Sequence, residues 1–127
     1  MTREYIAYAG LKFTVEWYYD EKEKSQSLDY FEGLDKDLQR KLLALFQLMG
    51  DFGQIKNKEK FNFEGDQIYA FKPLPHRFLC FFFTGRKIVV TNAFIKKRKK
   101  LSRTEKARAL NFKRDYEIRA EEGDYYE

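Results

Sequence analysis

At 127 residues and 43% hydrophobic, the chain can build one compact domain, and 13 Phe and 9 Tyr predict an aromatic-rich core. Its longest apolar run, Phe78 to Phe83, is far short of a membrane span, and charges interrupt the N-terminal stretch, so no membrane contact, no signal peptide and a cytoplasmic location are expected. The net charge of +5 is uneven: residues 86–119 hold 13 Lys/Arg against 3 Asp/Glu, residues 1–66 are net acidic, and residues 121–127 add four acids, so one end of the molecule should attract a polyanion.

In chain order, Lys12 to Tyr18 alternates, with Phe13, Val15 and Trp17 on one face, and reads as a strand. A polar stretch then leads into a short helix ending at Gly33. Asp35 caps a longer helix whose Leu38, Leu42, Leu45, Phe46 and Met49 form one stripe, closed near Gly50 and Gly53. Residues 51–66 form a mixed-charge loop with room for a short strand at 61–63. Three strands follow, Gln67 to Lys72, His76 to Thr84 and Lys87 to Ile95. Their connections are too short for crossovers and predict an antiparallel meander. The middle strand is apolar from Phe78 to Phe83 and should be covered on both faces, with Cys80 as a core thiol.

A final helix over 102–120 starts with a Ser102–Glu105 capping box. It docks through Ala109, Phe112, Tyr116 and Ala120 and turns Arg103, Lys106, Lys113 and Arg114 outward. Acidic residues 121–127 should form a disordered tail. The fold class is therefore α+β: an N-terminal strand and a helical hairpin packed on an antiparallel sheet of about four strands, with a basic C-terminal helix, as a single domain over 1–120.

Chemistry concentrates at Phe94-Ile95-Lys96-Lys97-Arg98-Lys99-Lys100, five consecutive cations between an apolar strand and a helix start. They form either a phosphate-holding connection or a solvated basic tract. One His and one Cys cannot build a zinc site, and there is no P-loop, nucleophile elbow or paired-carboxylate signature. The remaining inventory, Lys, Arg, Tyr and His76, suits cleavage of RNA by its own 2′-hydroxyl. There the protein moves two protons and stabilises a phosphorane, and a lysine crowded by cations can have its pKa lowered toward neutrality.

From Ile68 onward the sequence resembles the RelE/HigB-type toxins of bacterial type II toxin–antitoxin systems, especially the phage-associated HigB-like branch. The resemblance is carried by Ile68-Tyr69-Ala70-Phe71-Lys72, His76-Arg77-Phe78-Leu79, Thr84-Gly85-Arg86 and the Phe94 to Lys100 run. The family usually has Glu at the position of Ala70, Arg at Lys72, Tyr at His76 and Pro at Ser102. The resemblance implies a metal-independent, cofactor-free mRNA endonuclease (mRNA interferase) acting at the ribosome. It also implies a cognate acidic antitoxin, encoded in a neighbouring reading frame. Lys72 and Arg77 would then be phosphate and transition-state ligands, with Lys96, Lys97 and Lys100 completing a cationic wall that includes a candidate general base. His76, after Pro75 in a turn, is a catalytic acid or a surface histidine. Arg98, Lys99, Arg103, Lys106 and Lys113 would attract the RNA backbone. Two rivals remain: a ParE-like topoisomerase poison of the same fold, and a basic nucleic-acid-binding module with no activity.

Overall fold

The computed structural model describes residues 5–97 and 102–126. Its strands and helices run β1 (Ile6–Ala9), β2 (Thr14–Trp17), α1 (Gln26–Glu32), α2 (Lys36–Phe52), β3 (Phe61–Phe63), β4 (Tyr69–Phe71), β5 (His76–Phe83), β6 (Lys87–Ile95) and α3 (Arg103–Glu122). The class is α+β, but the sheet has six strands rather than about four, in the order β1-β2-β6-β5-β4-β3.

The meander β4–β5–β6 is antiparallel, with Phe71 opposite Phe78 and Arg77 opposite Phe94. Gly85 and Arg86 take positive φ, 84° and 60°, to make the tight β5–β6 turn. By contrast, β2 lies parallel to β6, Thr14 beside Lys87 and Trp17 beside Val90. This makes the sheet mixed and corrects the all-antiparallel expectation. The chain between β2 and β6 includes the helical hairpin, so no tight turn dictates the strands' relative direction. β1 then pairs antiparallel with β2 and extends the sheet.

Helix α2 has the limits its caps announce: the Asp35 carboxylate accepts the Leu38 N–H, and Gly53 takes the left-handed conformation. Its Leu42, Leu45, Phe46 and Met49 pack with Val15, Trp17, Phe71, Phe78, Cys80, Ile88 and Val90. Alternate residues of the same strands, Leu79, Phe81 and Val89, pack instead with Ala109 and Tyr116 of α3. β5 is thus buried on both faces from His76 to Phe81, whereas Phe82 is exposed and Phe83 half-buried where the strand outruns its cover. Burial pushes the Cys80 thiol pKa up, as for an inert core residue.

The acidic tail is part of the fold, not a loose end, through Tyr126. α3 continues to Glu122, Gly123 closes it with φ 79°, and Tyr125 is completely buried. The Tyr125 hydroxyl accepts the Tyr19 N–H at 2.9 Å, and the Tyr126 hydroxyl donates to buried Glu16 at 2.7 Å. Burial of the Tyr125 ring and these two hydrogen bonds dock the segment despite the surrounding acids, while the Tyr126 ring stays partly exposed.

Candidate nucleic-acid site at the sheet end

The strand pairings bring the end of β4, the start of β5 and the end of β6 to one end of the sheet, so Lys72, His76, Arg77 and Lys96 become neighbours. The Lys96 N–H donates to the Pro75 carbonyl at 3.1 Å, tying the exit of β6 to the turn before β5. The Lys72 N–H donates to the Lys60 carbonyl, and its Nζ to the Lys58 carbonyl at 3.1 Å. Beyond Val90, Gln26 takes the place of a partner strand, its side chain donating to the Ala93 carbonyl and accepting the Ala93 N–H. That pair of hydrogen bonds anchors α1 beside the same sheet end.

Electrostatics at this end are strained. The Lys72 pKa is lowered, first by burial and then by Arg77 and Lys96, against the opposing pull of Glu64 and Glu59. Arg77 is buried at 9% exposure; its Nη1 donates to the His76 carbonyl at 3.0 Å. Its Nε is buried with no hydrogen-bond partner among the described residues. Burial lowers its pKa and Glu64 opposes this.

His76 is not a surface turn residue. It opens β5, is 8% exposed, and pairs through Nδ1 with the Tyr30 hydroxyl at 2.7 Å. Burial lowers its pKa, Asp35 opposing, so the imidazole is neutral at pH 7. Burial, with Glu105, raises the Tyr30 pKa and keeps that hydroxyl protonated.

The remaining cations divide. Lys97 and Arg103 are exposed, and Arg98, Lys99 and Lys100 lie outside the described residues. Lys106 is held by Asp66 at 2.8 Å; Lys113 is held by Glu117 at 3.1 Å and lies over the Phe81 ring. These last two are half-buried and engaged within the protein rather than turned freely outward. The capping box is half formed: the Ser102 hydroxyl accepts the Glu105 N–H, but the Glu105 carboxylate accepts from buried Asn92 at 3.0 Å. That bond fixes the start of α3 to β6.

Tyr30 and Glu64 escape sequence reasoning. Tyr30 lies 46 residues from its partner on an ordinary amphipathic helix, and Glu64 is one acid in a mixed-charge loop. The one usable signal was Pro75-His76-Arg77, two polar residues opening a strand that is apolar from Phe78 to Phe83. Among the described residues, no group of His, Cys, Asp or Glu could hold a metal ion, and no helix is long and apolar enough to cross a membrane.

An α+β fold with crowded cations at one sheet end defines a small protein equipped to meet a phosphate-bearing or acidic partner. The chain belongs to the phage derived protein Gp49-like family (DUF891), whose model matches residues 29–114, from α1 through most of α3. That is a family of RelE-like toxins of toxin–antitoxin systems, so an antitoxin partner is implied. No curated protein matches the chain.

Proposed function

We propose that this toxin is an mRNA endoribonuclease of a type II system that cuts ribosome-bound mRNA through attack by the RNA's own 2′-hydroxyl, in the cytoplasm and without a metal. The observation that carries the reading is the convergence of Lys72, Arg77 and Lys96 with neutral His76, where burial disfavours the charge on Lys72 and Arg77 and the neighbouring cations add to that at Lys72. Cations held in that state gain most when a phosphorane's charge develops beside them.

A chemically balanced assignment follows. His76 is neutral and takes the proton from the 2′-hydroxyl as that oxygen attacks phosphorus. Arg77 and Lys96 stabilise the phosphorane. The bond from phosphorus to the 5′-oxygen breaks, and Lys72, whose lowered pKa makes it a better donor than an ordinary ammonium, protonates the leaving oxygen. The products are a 2′,3′-cyclic phosphate and a 5′-hydroxyl, and water restores both protonation states. Tyr30 orients His76. Glu64 supplies a carboxylate near Lys72 and Arg77, where the resembled toxins carry one at the position of Ala70.

Primer extension on cellular mRNA after induced expression tests this. Cuts phased to codons in translated messages, with naked RNA left largely intact by the purified protein, are the expected result. Growth arrest with intact mRNA and damaged DNA would replace this reading with the topoisomerase poison. Binding without arrest would replace it with the inactive basic module.

A further inference from the structure

On the α2 side of Lys72 lies a groove of about 350 Å³. Its apolar lining comes from Ala44, Leu45 and Leu48 of α2 and from Pro73 and Leu74 opposite, while Lys41, Lys60 and Lys72 outnumber the single acid Glu59. Leu48 is 40% and Leu74 55% exposed. Four residues beyond Leu48, Phe52 is 65% exposed, so Ala44, Leu48 and Phe52 form an outward apolar stripe. The core does not use this stripe; it takes Leu42, Leu45, Phe46 and Met49 of the same helix. A continuous apolar stripe with a cationic rim is the mark of a docking face.

The groove's own lining is aliphatic, and the one ring of the stripe, Phe52, lies beyond its end, so a nucleobase in the groove has no aromatic plane to stack on. The eight-residue step from Ala44 to Phe52 covers about 12 Å of helix, more than one nucleotide's base would fill. Both features favour a polypeptide over RNA, and the excess of cations favours an acidic one.

We propose that this groove seats an acidic, amphipathic segment of the antitoxin, whose apolar side chains cover Leu48 and Leu74 and whose carboxylate binds Lys72. Neutralisation then works by holding one member of the site in a fixed ion pair, without covering the whole sheet end. The inference rests on the reading of Lys72 as part of the reactive site.

The test uses the full-length protein and, as probe, the purified product of the adjacent reading frame, with binding measured by calorimetry independently of toxicity. Leu48→Asp and Leu74→Asp should each weaken binding at least about thirtyfold and abolish rescue of growth, while leaving mRNA cutting unchanged. Lys41→Glu should weaken binding and flatten its salt dependence. Ile118→Asp, on exposed α3 surface, should change none of these. Circular dichroism identifies any variant that misfolds. Wild-type affinity in both leucine variants, or no binding by the neighbour at all, overturns the proposal. So does loss of cutting with binding retained, which would give the groove to RNA. Tight binding through the groove by a protein that cuts no mRNA would sink the nuclease reading and leave the docking surface standing.

Discussion

Replacing Arg77 with methionine should make the protein more stable and functionally dead. Arg77 sits at 9% exposure, its Nε has no hydrogen-bond partner among the described residues, and burial disfavours its charge. Methionine keeps most of the apolar stem and removes the buried polar head. Freeing a buried group that lacks its hydrogen bond gains about 1–3 kcal/mol, and losing the Nη1 bond to the His76 carbonyl returns about 1. A net gain of about 1 kcal/mol corresponds to a Tm rise of about 4 °C for a chain of this size. In the reaction, losing a preorganised cation costs about 3 kcal/mol of barrier, or about a hundredfold in rate. Thermal melting by circular dichroism and primer extension of cellular mRNA read the two effects separately. A methionine variant less stable than wild type would show that Arg77 is a satisfied structural residue. One that still cuts mRNA at the wild-type rate would remove Arg77 from the site.

Lys96→Ala should lose cutting by a comparable factor with the fold intact, whereas Lys99→Ala should mainly weaken salt-sensitive RNA binding; equal losses in cutting rate would reduce the basic run to an attractive patch. Because the folded pKa of His76 lies below its unfolded value of 6.5, the unfolded chain takes up the proton first, and stability should fall as pH drops from about 6.5 through the folded pKa. His76→Gln should flatten that part of a stability-versus-pH curve, and an unchanged slope would mean the imidazole is not desolvated. Glu16 has the opposite sign: burial raises its pKa, so the stability of its protonated form is lost as pH rises through the folded value. Glu16→Gln should therefore raise Tm at pH 7 and change it little at pH 4; a fall at pH 7 would show that Tyr126 and Lys87 more than offset the burial of the carboxylate.

What the sequence made legible was whatever short-range chemistry determines. The bounds of β6, Lys87 to Ile95, are those the sequence predicts, and α2 begins and ends at the residues that cap it. Short turns made the meander readable, and with it the gathering of Lys72, Arg77 and Lys96, since antiparallel neighbours alternate their ends. Long-range choices were not legible. Nothing local distinguishes β2 as parallel to β6, and no spacing rule joins Tyr30 to His76 or carries Tyr125 to the backbone of Tyr19. Lys106 and Lys113 were assigned to solvent by helical phase, but a long side chain can bend to a neighbouring acid without changing its position on the helix.

The parallel seam between β2 and β6 also determines when the molecule can be finished. Trp17 must wait for Val90, so joining the two strands closes a loop of some seventy residues, an entropy cost of about 4 kcal/mol that local contacts cannot repay. The helical hairpin and the β4–β5–β6 meander can assemble first, from near neighbours, leaving one flank of β6 as an unpaired edge until β1 and β2 arrive. During that interval the edge can accept a strand from another chain. Slowing the final docking step, by weakening Trp17 or Val15 in the seam, should therefore appear as aggregation during refolding before any loss of equilibrium stability becomes large.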